Sequence, residues 1–168
     1  MNNKPKLRLL LTSLILGSAA FAAAKVEVTL IDKLDEPRGF QTRARPEEGL
    51  QTHRCYSYQG QIAVDPAFDG DLIPEGTFRL IDFELCMTLT GTSAGSTLAL
   101  EPCDGSELQQ FEHRANGKIV AVAAPGNCIT AGEGPSRHGG GSEPVHLIRD
   151  LQLQGSVTAA ELGVNSGV

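Results

Sequence analysis

From residue 26 onward the apolar positions fall in short runs with a period of two, separated every eight to twelve residues by turn chemistry. Residues 26–31, VEVTLI, alternate and are rich in β-branched side chains, which predicts a first strand. Residues 32–49 carry Pro37, Gly39, Pro46 and Gly49 among charges and read as turns around one short strand at 40–42. The alternation resumes in GLQTHRCYSY, predicting a strand that ends near Cys55, and a short strand follows at 61–64. After the proline- and aspartate-rich loop 65–75, GTFRLIDFELCMTL predicts two apolar strands broken at 82–84. Thr92 to Ser96 is a small-residue turn, STLALEPC the next strand, and Asp104-Gly105 a further turn. Helical periodicity is confined to VTAAELGV near the end. Many short strands with turns between them predict an all-β sandwich or barrel.

The runs also repeat. Gly76-Thr77-Phe78-Arg79-Leu80 followed by Cys86-Met87-Thr88 aligns with Gly117-Lys118-Ile119-Val120-Ala121 followed by Cys128-Ile129-Thr130. LALEPC (98–103) aligns backward with LQTHRC (50–55) and forward with VHLIRD (145–150). Three units of about 40 residues result, near 26–66, 73–113 and 114–156. Such units cannot bury an apolar face singly, so three closing on a common axis predict a β-trefoil.

The first two dozen residues stand outside this pattern. Lys4, Lys6 and Arg8 precede an apolar run from Leu9 to Ala20, too short to span a bilayer, and Ala20, Ala22 and Ala24 offer small-residue cleavage positions. Residues 1–24 are therefore read as a secretory signal peptide and 25–168 as a single domain without a transmembrane anchor, placing the mature protein in the periplasm or the medium. Removing three basic residues and no acid takes the whole-chain charge of −6 to −9. An acidic chain lacks the lysine and arginine surface that a phosphate backbone requires, which argues against a nucleic-acid partner. Four cysteines in an oxidising compartment point to disulfides before metal ligands.

Cys-apolar-x-apolar, a Gly-rich turn, apolar-x-apolar-x-Pro-Cys and then Gln109-x-Phe111 resemble the repeat of ricin-type lectins. The likeness is clearest over 73–131. It implies a disulfide between Cys86 and Cys103, and closing a loop of about 17 residues contributes about 3 kcal/mol. It also implies a core role for Phe111 and a Gln109 side chain that caps backbone groups. Cys55 and Cys128 occupy different positions in different units, which leaves pairing across units and two free thiols both open.

Sugar recognition in that family uses an Asp two residues after the first cysteine and an aromatic two before the second, with an Asn-Gln pair before the core aromatic. The middle unit has Thr88, Glu101 and Leu108-Gln109 at these places, and the third has Thr130 and Ile148. Only the first unit offers a ring there. His53, with Tyr56, Tyr58 and Gln59 beside it, is the expected carbohydrate-binding patch, Gln61 competing with Gln59 for the family position. In the competing reading the tyrosines cover the barrel end and His53 is solvated.

Other chemistry is thin. Gly91-Thr92-Ser93-Ala94-Gly95 matches the G-x-S-x-G elbow, but a strand-like segment follows where that motif needs a helix, so it reads as a turn. His113, His138 and His146 lack zinc spacing, and Asp65, Asp69 and Asp71 lack a calcium loop's spacing and read as a solvated acidic turn. No catalytic residue, metal or cofactor is expected. The resemblance implies an exported non-catalytic module binding glycans or cell-surface glycoconjugates. The alternative is a protein-interaction subunit without sugar binding, because LIPEGTFRLIDFELCMTL with LALEPC is also similar to the ricin-like accessory subunits of cytolethal distending toxins.

Overall fold

A computed structural model describes residues 22–30, 38–42, 45–54, 64–132, 137–139 and 146–155. The expected signal peptide up to Phe21, the strand at 61–64 except Val64, and Cys55, Tyr56, Tyr58 and Gln59 lie outside these residues. Among the described residues the regular structure is β, with three short 3-10 turns. The strands are β1 (Lys25–Val26), β2 (Arg38–Gln41), β3 (Gln51–Arg54), β4 (Phe68–Asp69), β5 (Arg79–Leu80), β6 (Leu85–Leu89), β7 (Leu98–Pro102), β8 (Phe111–His113), β9 (Ile119–Ala121), β10 (Asn127–Ala131), β11 (Arg137–Gly139) and β12 (His146–Gly155). One sheet runs β1-β4-β5-β6-β7 and a second runs β2-β3-β12-β10-β9-β8, with β11 against β12. All the strand pairs are antiparallel.

The repetition reappears as hydrogen-bond register. In the middle of the chain Phe68 lies opposite Leu80, Arg79 opposite Cys86, and Cys86 opposite Glu101. Further on, Phe111 lies opposite Ala121, Val120 opposite Cys128, and Cys128 opposite Gln154. At the start Thr29 bridges Gly39, which lies opposite His53. The pattern of pairing is alike in the three rows although the spacing is not, Cys86 and Glu101 being 15 residues apart and Cys128 and Gln154 26, and in that pattern Gly39, Cys86 and Cys128 take corresponding places, as do His53, Glu101 and Gln154. Gly76 and Gly117, which open equivalent segments, both adopt positive φ, 88° and 82°.

The register moves one sequence alignment by six residues. By the pairing pattern LALEP (98–102) corresponds to residues 151–155, LQLQG, where the sequence repeat predicts VHLIRD: Leu98 and Leu100 match Leu151 and Leu153. Ten residues of β12 serve three neighbours, its first part pairing with β11 and β3 and its second with β10. Both segments are therefore strand, and alternation alone could not tell which half is the repeat's hairpin.

Leu50, Leu98 and Leu151 now fall at one position of the three units, and all are buried in the core cluster. Hydrogen bonds link the segments that carry them. Leu50 N–H donates to Leu98 O at 2.9 Å, Leu153 N–H to Ser96 O at 2.7 Å, and Thr52 Oγ1 to Arg149 O at 3.1 Å. Burying each leucine contributes roughly 1.5–3 kcal/mol. Beneath them Phe68, Phe78 and Phe111 stack edge to face, with centroids 6.3 and 5.9 Å apart, so Phe111 is a core residue as expected.

Candidate functional site

The best-formed polar site is the end of the β6–β7 hairpin. Thr90 and Thr97 clamp its far end through a hydroxyl–hydroxyl contact at 3.2 Å and a Thr97 N–H to Thr90 Oγ1 bond at 3.0 Å. The tip between them holds Ser93, with Ser96 N–H bonded to Ser93 O and Gly95 at φ 90°. A turn between two antiparallel strands cannot present Ser93 as a strand-to-helix elbow does. The open end is closed by the Cys86–Cys103 disulfide, Cα–Cα 5.1 Å, the pairing that the resemblance implies.

Beyond the disulfide the chain turns through Asp104-Gly105 into a 3-10 turn, Glu107–Gln109, and Gln109 points back into the hairpin. Its Oε1 accepts the Asp104 N–H at 2.8 Å and the Gly105 N–H at 3.3 Å. Its Nε2 donates to Pro102 O at 2.9 Å and to Thr88 Oγ1 at 3.0 Å. Thr88 Oγ1 in turn donates to Cys86 O at 3.0 Å. The amide is 2% exposed, and both of its ends are used. Thr88, which stands where the family has its sugar-binding Asp, thus has its hydrogen committed and one lone pair engaged. Glu101 is exposed on the strand opposite Cys86. The Asp104 carboxylate accepts the Ser106 N–H at 2.8 Å, and the Ser106 amide and hydroxyl hold its pKa below the ordinary value.

The first unit is built differently at the same positions. By register Gln41 is equivalent to Thr88 and His53 to Glu101, while Pro66 stands where the middle unit has Gln109. Gln41 and His53 are 3% and 7% exposed. With proline at 66 no amide reaches back into this hairpin from that position, and Gln41 Nε2 and Thr42 Oγ1 are buried without a hydrogen-bond partner. Gln51 and Thr52 are buried beside them, so this hairpin has a polar interior where the middle unit has Ala99 and Leu100. Of the expected patch, His53 is thus placed on β3 facing Gly39 across the ladder, and the other three residues lie outside the described set.

In the third unit Cys128 is a free, half-buried thiol with Thr130 Oγ1 3.8 Å away. In the row of pairs that starts the chain the residue corresponding to Cys86 is Gly39, so no cysteine stands at that place. Beside Cys128 a cleft of about 320 Å³ opens between the first and third units, walled by Val28, Leu30, Phe40, Ile119 and Ile129.

The Asp65–Asp71 segment differs from the solvated turn expected of it. Asp65 and Asp69 are buried; Asp69 Oδ1 accepts the Asp71 N–H at 3.2 Å, and Oδ2 lies 3.7 Å from the Arg79 guanidinium. Among the described residues no group of three His, Cys, Asp or Glu side chains is placed to hold a metal ion, and no helix is long and apolar enough to cross a membrane. No protein-family model and no curated protein matches this chain.

Proposed function

We propose that the chain is an exported, non-catalytic carbohydrate-binding module of β-trefoil architecture, resembling ricin-type lectins, whose ligand position is in the first unit. The single observation that carries this reading is the shared register of the three hairpins. By that register Gln41 and His53 stand at the positions equivalent to the two that recognise sugar in the family, and a buried amide donor and a hydroxyl of the same hairpin are unpaired. Hydroxyl-rich ligands need such convergent polar groups next to an apolar or aromatic face. Tyr56, Tyr58 and Gln59 follow His53 closely enough in sequence to supply that face and rim.

The test is a glycan array probed with the mature protein, repeated with Tyr58→Ala and with His53→Ala checked for an unchanged unfolding midpoint. Binding that falls at least tenfold in Tyr58→Ala supports the reading; silence across the array sinks it.

A second reading, a protein-interaction or toxin accessory subunit on the same scaffold, is favoured by the middle unit. There the Thr88–Gln109 bonds close off the sugar position from within. Co-expression with the products of neighbouring genes, yielding a complex of fixed stoichiometry from a protein silent on the array, would favour this reading.

A further inference from the structure

Of the three small-residue cuts in the expected leader, two present alanine at both recognised positions, Ala20-Phe21-Ala22 and Ala22-Ala23-Ala24, whereas a cut after Ala20 has serine, Ser18, at the first. Cleavage after Ala24 is the expectation from sequence. The fold treats residue 24 as its own. Ala24 O accepts the Gly70 N–H at 2.7 Å, and Ala24 N–H donates to Asp71 Oδ2 at 3.4 Å, both immediately ahead of the pairing of β1 with β4.

Gly70 carries a second, independent mark of this contact. Its φ is not among the positive values, so backbone conformation does not demand glycine there. A Cβ at position 70 would lie 2.8 Å from Val26 Cγ1 and 3.0 Å from Ala24 O. The missing side chain makes room for the residue 24–26 segment, the use of glycine that close backbone approach requires. Lys25 Nζ, 2.8 Å from Asp82 Oδ2, ties the same segment to the β5–β6 turn.

We propose that the export leader is removed between Ala22 and Ala23, so that the mature chain starts at Ala23 and keeps Ala24 as the edge of the β1–β4 ladder. The inference rests on the reading of residues 1–24 as a signal peptide. A signal peptidase would hydrolyse the Ala22–Ala23 amide: water's hydroxyl goes to the Ala22 carbonyl carbon, the C–N bond breaks, and the leaving nitrogen is protonated as the new α-ammonium. That cation forms one residue from the amide that faces the Asp71 carboxylate, where opposite charge favours it. A cut after Ala24 would strip the Gly70 N–H of its acceptor and the Asp71 carboxylate of its backbone donor.

The experiment is to express the full chain in an exporting host, recover the protein outside the cytoplasm and sequence its N-terminus. The expected reading is Ala-Ala-Lys-Val. Lys-Val-Glu-Val, from a cut after Ala24, and Phe-Ala-Ala-Ala, from a cut after Ala20, each overturn the inference and leave the leader reading intact, whereas an N-terminus retaining Leu9 to Ala20 overturns both. In parallel, chains made to start at Ala23 and at Lys25 are compared by thermal unfolding. The longer is expected to melt about 3 °C higher, the shift for about one hydrogen bond in a domain of this size; equal midpoints overturn the structural role given to Ala24.

Discussion

Replacing Gln109 separates a structural clamp from a ligand-binding amide. In Gln109→Ala four hydrogen bonds go at once, those to Asp104 N, Gly105 N, Pro102 O and Thr88 Oγ1. At about 1 kcal/mol net for each bond, with water able to reach the exposed Asp104-Gly105 turn, the expected loss is about 3–4 kcal/mol. That is a large fraction of the stability of a single domain. Gln109→Glu is the sharper variant, because it keeps an acceptor for the two amides and loses the donor, turning a carboxylate oxygen toward Pro102 O. Burial and that carbonyl both disfavour the charged form, so the carboxyl introduced by Gln109→Glu has a raised pKa when folded. A raised folded-state pKa means the native chain binds the proton more tightly than the unfolded one. The deficit is therefore largest at neutral pH and shrinks as the pH falls through the raised value toward the unfolded carboxylate near 4.3. Urea unfolding followed by far-ultraviolet circular dichroism measures this in a chain without tryptophan. A Gln109→Ala midpoint within about 0.5 kcal/mol of the parent, or a Gln109→Glu deficit unchanged between pH 7 and pH 5, would refute the clamp.

Other expectations follow from the same geometry. Ser156→Cys should oxidise with Cys128, since Ser156 stands two residues past the partner of Cys128 as Cys103 stands two past the partner of Cys86. Closing about 28 residues adds at most about 3–4 kcal/mol, and persistence of a free Cys128 thiol under non-reducing mass analysis would show the register to be wrong. Glu84 is the sole non-glycine residue with positive φ, 56°, among those described, and it is exposed. Glu84→Gly should stabilise by about 0.5 kcal/mol, the left-handed penalty less the entropy of glycine, while Glu84→Val should destabilise; calorimetry decides, and the opposite order would remove the strain assignment. The Asp104 carboxylate, lowered by Ser106, supports its turn above the unfolded pKa and ceases to do so as pH falls through its lower folded value. Carboxyl NMR titration should place it below the ordinary 3.8, and Ser106→Ala, which keeps the backbone N–H and removes only the hydroxyl, should raise it part of the way; a parent titration at the ordinary value would contradict the bond.

What could be read from the sequence was what keeps the residue types of the repeat it resembles. Cys86, Cys103, Gln109 and Phe111 carry the spacing of that ricin-type repeat, and the resemblance made the disulfide, the capping amide and the core ring legible. Leu50 and Leu98 were matched for the same reason. Leu151 was missed because Asp150 stood where a second cysteine was sought, and β12 alternates both before and after it. Gln41 was invisible because its marker is absent: Gly39 replaces the cysteine that flags the equivalent Thr88, and only the ladder from Thr29 through Gly39 to His53 reveals the match. The Ala24 contact was hidden by its position at the edge of the expected leader, where composition suggests a cleavage site and only the pairing of β1 with β4 reveals the contact.

The long β12 sets the order in which the molecule can close. It supplies the second neighbour of β3 and the partner of β10, and its bond to Thr52 spans 97 residues of chain. Contacts of such sequence separation form late, because the entropy of loop closure is lost before they reward it. On the proposed export route, a chain threaded outward from its N-terminus has its first hairpin across the membrane long before β12 arrives to seal it. On that route the pairing of β3 with β12 would form only after both strands have crossed. Pulse-labelled hydrogen exchange should find the β3 amides protected together with those of β12; early protection of β3 by itself would contradict that order.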